Sequence, residues 1–335
     1  MNLLNSKLQV PRHYQPLHRR RLVRLFAKVC QKRLGIVIAG AGYGKTTLVI
    51  DAMESLNATF IWYRLDEQDT DFQVFVAYLY AAVGRHFLKP NAFEKRPVIP
   101  KTNLKSQADI LLEWLAFLEE TATQQTVLVL DDYHLVQKSR PINNAIEFML
   151  ERLAAHIHLV IIGRHDPDLR LSTIRAREQL IEFSEKDLAF TADEVKRFFS
   201  DTRLPSDTHI KKIHSSTGGW AASLVLLRYT LHEKEPEYIA RALESFKQTP
   251  RYIFSYLKEN FFDVQPIPIQ TFMMKAALLT EIDTSRCEQI FGVDNAGFIL
   301  QKMVRNHLMI FPVDESETIF YFHHLFRCKH DQMPG

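Results

Sequence analysis

The chain has 335 residues, 46% apolar and 24% charged, and its 42 Lys and Arg against 39 Asp and Glu leave a net charge of only +3. A length beyond one usual core points to two or three domains, and so balanced a charge excludes binding nucleic acid by bulk field alone. The three cysteines, Cys30, Cys287 and Cys328, are far apart and form no C-x-x-C pair, which argues against a structural zinc and fits a reduced cytosolic compartment. Met1 to Gln15 has no apolar signal-peptide core, and no apolar run nears the ~18 residues that span a bilayer. A cytoplasmic protein with no membrane partner is expected.

Residues 1–33 form a basic lead-in, with Arg19, Arg20, Arg21, Arg24, Lys28, Lys32 and Arg33 interleaved with Leu22, Val23, Leu25, Phe26 and Val29 at helical spacing. A solvated helix face explains this pattern better than a nucleic-acid patch. Leu34 to Ile38 reads as a strand, Lys45 to Leu56 as a helix, and Ala58 to Leu65, rich in aromatic and β-branched residues, as a second strand. Phe72 to Phe87 has helical period, residues 88–106 read as a loop with three prolines, and Ile110 to Glu120 is helical. Val127 to Leu130 and His158 to Gly163 are short apolar runs of the kind buried in parallel sheets. Between them Ile142 to Ala155 is a helix, started by Pro141. Alternating strands and helices mean a parallel α/β sheet.

From about residue 185 the pattern becomes helical. Thr191 with Glu194 resembles a capping box, and helices follow near 207–214, 219–232, 237–247 and 250–262. Beyond Pro266 and Pro268 come short helices near 269–279, 284–290 and 295–305. Leu308 to Phe311 and Thr318 to Phe322 flank Asp314-Glu315-Ser316 as a hairpin. Three helices closed by a hairpin outline a winged helix.

The chemistry concentrates at residues 39–46, A-G-A-G-Y-G-K-T, between a strand and a helix start. That context is the one a phosphate-binding loop requires. Gly40, Gly42 and Gly44 allow successive N–H groups to turn toward phosphate oxygens, and the helix N-terminus adds positive potential. Lys45 would reach the β- and γ-phosphates and Thr46 would ligate Mg²⁺. The strict pattern begins with Gly, and Ala39 stands there instead. Val127-Leu128-Val129-Leu130-Asp131-Asp132 supplies the second motif: Asp131, ending a buried strand, would hold Mg²⁺, and Asp132 would polarise the attacking water or shape the metal's field. Arg164, directly after the strand ending at Gly163, would touch the γ-phosphate. The strand at 58–65, falling between the two motifs in sequence, points to the additional-strand class of P-loop ATPases.

Taken together, A-G-A-G-Y-G-K-T-T-L, L-V-L-D-D-Y-H-L-V, G-R-H-D-P, the run Ile174 to Leu180, Thr217-Gly218-Gly219-Trp220-Ala221-Ala222 and Tyr321-Phe322-His323-His324-Leu325-Phe326 resemble the signature of the MalT group. These are signal-transduction ATPases with numerous domains, related to the large LuxR-type transcription activators. The resemblance runs in order through essentially the whole chain. It implies an additional-strand P-loop NTPase over 1–184, a helical domain over 185–247 and a winged helix over 248–335. It adds Tyr43 and Thr47 to the nucleotide loop, places Trp220 at the family's "G-W-P-A" helix start and gives His323 the β-phosphate of bound ADP. Arg19 and Arg21 align with an "R-x-R-L" that closes over the base. Ala221 replaces the family proline near adenine. The implied function is an ATP/ADP switch: closed and monomeric with ADP, open and self-associating with ATP, with slow hydrolysis as the reset. The family continues into a helical sensor and a DNA-binding helix-turn-helix, both absent by Gly335, and no basic cluster in residues 284–322 suggests direct DNA contact by this chain. A stand-alone turnover ATPase is the alternative.

Overall fold

The computed structural model describes residues 4–11, 17–56, 58–88, 106–202, 206–231, 251–279, 281–313, 316–323 and 326. Most of the expected loop over 88–106, the helix near 237–247, the hairpin tip Asp314-Glu315, and His324 and Leu325 lie outside the described residues. The chain divides into two compact units, one of residues 1–38 and 45–187, the other of residues 39–44 and 188–335.

The first unit is a parallel sheet with helices. Its strands are β1 (Leu34–Ile38), β2 (Thr59–Arg64), β3 (Thr126–Asp131), β4 (Ile157–Gly163) and β5 (Leu180–Phe183). They lie in the order β2-β3-β4-β1-β5. Strand β4 therefore stands between the two motif-bearing strands β1 and β3, whereas β2, which separates them in sequence, takes an edge. Strands β1, β3 and β4 are buried along their whole length, as strands covered on both faces must be. The register aligns Ile38 with Gly163, Leu130 with Ile161 and Arg64 with Asp131. One end of the sheet thus gathers the last residues of four strands. Edge strand β5 gave no clear sequence signal, because only Phe183 of its four residues is buried.

The helices of this unit are α1 (Arg20–Phe26), α2 (Lys45–Ser55), α3 (Phe72–Phe87), α4 (Gln107–Thr121), α5 (Arg140–Arg152) and α6 (Ser172–Ala176). Asp71 caps α3 by accepting from the N–H groups of Gln73 and Val74, and Ser106 with Asp109 forms a capping box on α4. Such caps satisfy amides that a helix start leaves without partners. Leu22, Val23 and Phe26 of α1 are buried, so the apolar half of the basic lead-in is core. A charged cluster lies under the amino terminus. Lys7 Nζ meets Asp69 at 2.8 Å and Asp66 at 2.8 Å, and Tyr63 Oη donates to Asp69 at 2.8 Å.

In the second unit α7 (Ala192–Phe198) starts with the Thr191–Glu194 capping box expected from sequence. Helices α8 (Asp207–Thr217), α9 (Ala221–Leu231) and α10 (Arg251–Leu257) follow, the last running into a π turn over Lys258–Phe262. Next come α11 (Ile267–Ala276), β6 (Ile282–Asp283), α12 (Thr284–Phe291), α13 (Ala296–Arg305), β7 (Ile310–Pro312) and β8 (Ile319–Phe322). β7 and β8 form the antiparallel hairpin, and β6 adds a third strand beside β8. Two residues are too few for periodicity to reveal β6. This winged helix has its own core, in which Phe272, Met273, Cys287, Leu300, Met303, Phe320 and Phe322 are buried.

Replacing Lys7 with Met would leave the carboxylate of Asp69, which is wholly buried, without its cation. Breaking one side of a buried pair costs about 3 kcal/mol, so Lys7→Met should lower stability by that order in urea denaturation, whereas Lys196→Met at an exposed pair should change it little.

Candidate functional site

The loop Ala39–Gly44 joins β1 to α2. Gly42 and Gly44 have φ of +75° and +81°, a region where a side chain is strained, so glycine is needed at these two positions. Ala39 lies outside that region. The departure from the strict motif therefore carries no backbone strain.

In the first unit the ends of β2, β3 and β4 bring the charged residues together around α2. Thr46 Oγ1 donates to Asp131 Oδ2 at 3.4 Å, and the Asp132 amide donates to Asp131 Oδ1 at 2.9 Å. Burial, and then the neighbouring Asp132, push the Asp131 carboxyl up to about 6. Burial and the positive charge of Arg164 pull Lys45 down to about 8, against the opposing pull of Asp131, Asp132 and Glu185. Arg164 follows directly on Gly163, the last residue of β4. Thr47 is half-buried in the first turn of α2.

Two hard oxygens, from Thr46 and Asp131, meet at one point, and this donor set fits Mg²⁺, which keeps waters and substrate phosphates as its remaining ligands. Among the described residues no group of three or more His, Cys, Asp or Glu is arranged to hold a metal by itself. Asp132 has a second function that the sequence did not disclose: its Oδ2 accepts from Arg64 Nε at 2.9 Å. Arg64 could have been found from its place at the end of the strand aligned with β3, the sheet end where α/β proteins bind ligands. His134 was passed over too. Burial, helped by the cations of Arg164 and Lys45 and opposed by Asp132, holds its imidazole down to about 4, so it is neutral near pH 7.

Arg19 and Arg21 are held locally. The Arg19 amide donates to Asp51 Oδ2 of α2 at 3.2 Å, His18 Nδ1 also bonds Asp51, and Arg21 Nη2 donates to the Asp187 carbonyl at 3.0 Å.

In the second unit the loop backbone is held by the start of α9. Trp220 Nε1 donates to the Ala41 carbonyl at 3.1 Å, and the Ala222 amide donates to the Gly42 carbonyl at 2.9 Å. Trp220 is fully buried and stands edge-on to Tyr256, at 5.5 Å between ring centroids, and to Phe261, at 6.0 Å. A Cβ on Gly42 would fall 2.6 Å from Ala222 Cβ and 2.9 Å from Tyr256 Oη. A Cβ on Gly44 would lie 3.9 Å from Ala221 Cβ, so the residue in the place of the family proline faces the loop. Gly218, at φ +57°, packs on His323, whose Nε2 lies 2.9 Å from the site of an added Cβ. Within this unit, loop, turn and histidine form one contiguous set.

The sheet order, the glycine loop entering a helix and the carboxylate ending β3 define a P-loop nucleotide-binding fold, followed here by a winged helix. A Walker-type ATPase of Pyrococcus abyssi is similar in fold, with a TM-score of 0.60 at 12% identity over 94% of this chain and 98% of that one. Residues 258–328 match the MalT winged helix domain. The HTH-type transcriptional regulator MalT of Serratia proteamaculans (strain 568) is 30% identical over 99% of this chain and 38% of its own length. The MalT regulator of Klebsiella pneumoniae (strain 342) is 30% identical over 97% of this chain and 36% of its own. The chain is MalT-like over nearly its whole length and carries a MalT winged helix. It spans well under half the length of these regulators. Among the described residues, no helix is long and apolar enough to cross a membrane.

Four outcomes are expected. Trp220→Phe loses both the bond to Ala41 and the pyrrole half of a fully buried indole and should cost about 2 kcal/mol, whereas Gly42→Ala adds left-handed strain and a clash and should cost about 3 kcal/mol, both read by urea denaturation. Because Lys45 is charged only below about 8, triphosphate affinity should be full below that pH and fall as pH rises through it. Arg164→Ala removes a repelling cation and should move that fall to higher pH, measured by titration of a fluorescent ATP analogue.

Proposed function

We propose that the chain is the nucleotide-controlled switch of a MalT-like transcription regulator. The observation that carries this reading is the convergence of Thr46 and Asp131 at 3.4 Å beside Lys45 and Arg164. In this reading Gly40, Gly42, Tyr43, Gly44, Lys45, Thr46 and Thr47 bind the phosphates, and Arg164 reports the γ-phosphate. Thr46 and Asp131 hold Mg²⁺, which would neutralise charge on the β- and γ-oxygens when bound. Arg19, Arg21 and Trp220 serve the nucleotide side, and His323 contacts the β-phosphate of ADP.

ADP keeps the chain closed and monomeric, ATP opens it and frees surfaces for self-association, and hydrolysis is a slow reset with Asp132 at the attacking water. A ~3 kcal/mol preference of ADP for the closed form suffices to shift the equilibrium roughly a hundredfold. The packing of His323 on Gly218, two residues before the tryptophan that holds the loop, supports a histidine that responds to the phosphate site. The three-part division at residues 184 and 247, a cytoplasmic location, and DNA binding through other domains of a parent regulator belong to the same proposal.

Protein denatured directly after purification should release stoichiometric ADP, and the Lys45→Ala variant should release none. His323→Ala should weaken ADP retention at least tenfold and raise the assembled fraction in light scattering. Unchanged ADP affinity and oligomeric state in that variant would refute the switch.

A further inference from the structure

The turn after β3 is built unusually. Asp132, a non-glycine residue, is left-handed at φ +58°, and a tight 3-10 turn over Tyr133–Leu135 follows. Aspartate is among the residues that adopt this region, and here it reverses the chain at the sheet end. The turn brings the His134 backbone against the end of β4: its amide nitrogen lies 3.8 Å from where a Cβ on Gly163 would sit. His134 Nδ1 is buried and has no hydrogen-bond partner among the described residues. The neighbours that act on its ring are Asp132, Arg164, His165 and Lys45, three of them assigned above to the phosphates or the attacking water.

The geometry points to a second water-holding residue: we infer that His134 Nδ1 and Asp132 Oδ1 together orient the water that attacks the γ-phosphate. The two atoms are 4.0 Å apart, too far for a direct bond. A water about 2.8 Å from each reaches both, with about 90° between the two acceptors, so each accepts one hydrogen bond and a lone pair is left for phosphorus. Arg64 makes this arrangement definite. By donating to Asp132 Oδ2 at 2.9 Å it occupies one carboxylate oxygen and leaves Oδ1 on the side of His134.

In the reaction the water oxygen forms the new bond to the γ-phosphorus, and the bond from that phosphorus to the β–γ bridging oxygen breaks, its electron pair leaving on ADP. One water proton passes to a phosphate oxygen and stays on the product, and the other is released to solvent, while His134 and Asp132 act as hydrogen-bond acceptors that hold the water in line. The inference rests on the nucleotide reading above and deepens it.

The test compares three variants of the full chain in single-turnover ATP hydrolysis, each also titrated with ADP and with ADP–aluminium fluoride. His134→Ala should slow hydrolysis about a hundredfold, in the range a positioned proton acceptor supplies, and weaken ADP–aluminium fluoride to a similar degree while ADP affinity stays within threefold. His134→Asn keeps an acceptor close to the Nδ1 position and should recover most of the rate. His134→Gln, with its acceptor farther out, should not. Wild-type hydrolysis and analogue binding in His134→Ala, or equal rates in the Asn and Gln variants, would overturn the role of His134. Failure of the wild-type chain to bind ADP would instead overturn the nucleotide reading itself.

Discussion

The constraint on which the first unit depends is the crowding of charge at one end of its sheet. Register places Arg64 level with Asp131 and Gly163 level with Ile38, one residue apart along the sheet, and the residues just beyond add Asp132 and Arg164. The helix that follows the loop adds Lys45. These groups are partly withdrawn from water, so each disturbs the next: Asp131 is pushed up to about 6 and Lys45 down to about 8. Such shifts measure the cost of holding charges away from bulk solvent. A polyphosphate with a divalent cation supplies both signs of charge in the geometry these residues offer. The fold tolerates the crowding because β1, β3 and β4 are buried along their whole length and anchor the site at its base.

The phosphate loop has a second constraint, on its backbone carbonyls. In the proposed nucleotide reading its amides face an anion, and fixing the loop through its C=O groups leaves them available. The start of α9 does this with one indole N–H and one amide, to Ala41 and Gly42. The approach is close enough that Gly42 is required twice, for its positive φ and for the space beside Ala222. Gly219 is fixed likewise: a Cβ there would fall 2.3 Å from the Phe190 carbonyl oxygen. The turn Gly218-Gly219-Trp220 thus carries both contacts within three residues, His323 against Gly218 and the indole N–H to the loop carbonyl.

What the sequence disclosed follows from which forces are local. Buried parallel strands show as uninterrupted apolar runs, and β1, β3 and β4 were legible within a residue or so. Caps are local as well, and Thr191 with Glu194 identified the start of α7. Strands β5 and β6 were not legible, because one is half exposed and the other has two residues. Their pairing is determined by neighbours distant in sequence. The site divides in the same way. Lys45, Thr46, Asp131 and Arg164 lie in motifs whose spacing suggests a chemistry, and the structure brings them to one end of the sheet. Arg64 and His134 acquire theirs only from register and from a left-handed aspartate, neither of which leaves a pattern in the chain.

That division bears on how fast such a site can turn over. Asp132 has one of its carboxylate oxygens bound by Arg64, which fixes the direction of the other. Its partner His134 is held neutral, down to about 4, which makes the imidazole a good acceptor of a hydrogen bond and a poor store for a proton. A pair with these properties fixes the position of a water without strongly activating it. Proton transfer then depends on the phosphate and on solvent, and the barrier remains higher than a matched base near neutral pH would leave it. In the proposed switch slow hydrolysis would be an advantage, since a nucleotide state must outlast the assembly it permits. The residues proposed to orient the attacking water would then also set the lifetime of the triphosphate form, with the pairing of Arg64 and Asp132 the contact through which it could be adjusted.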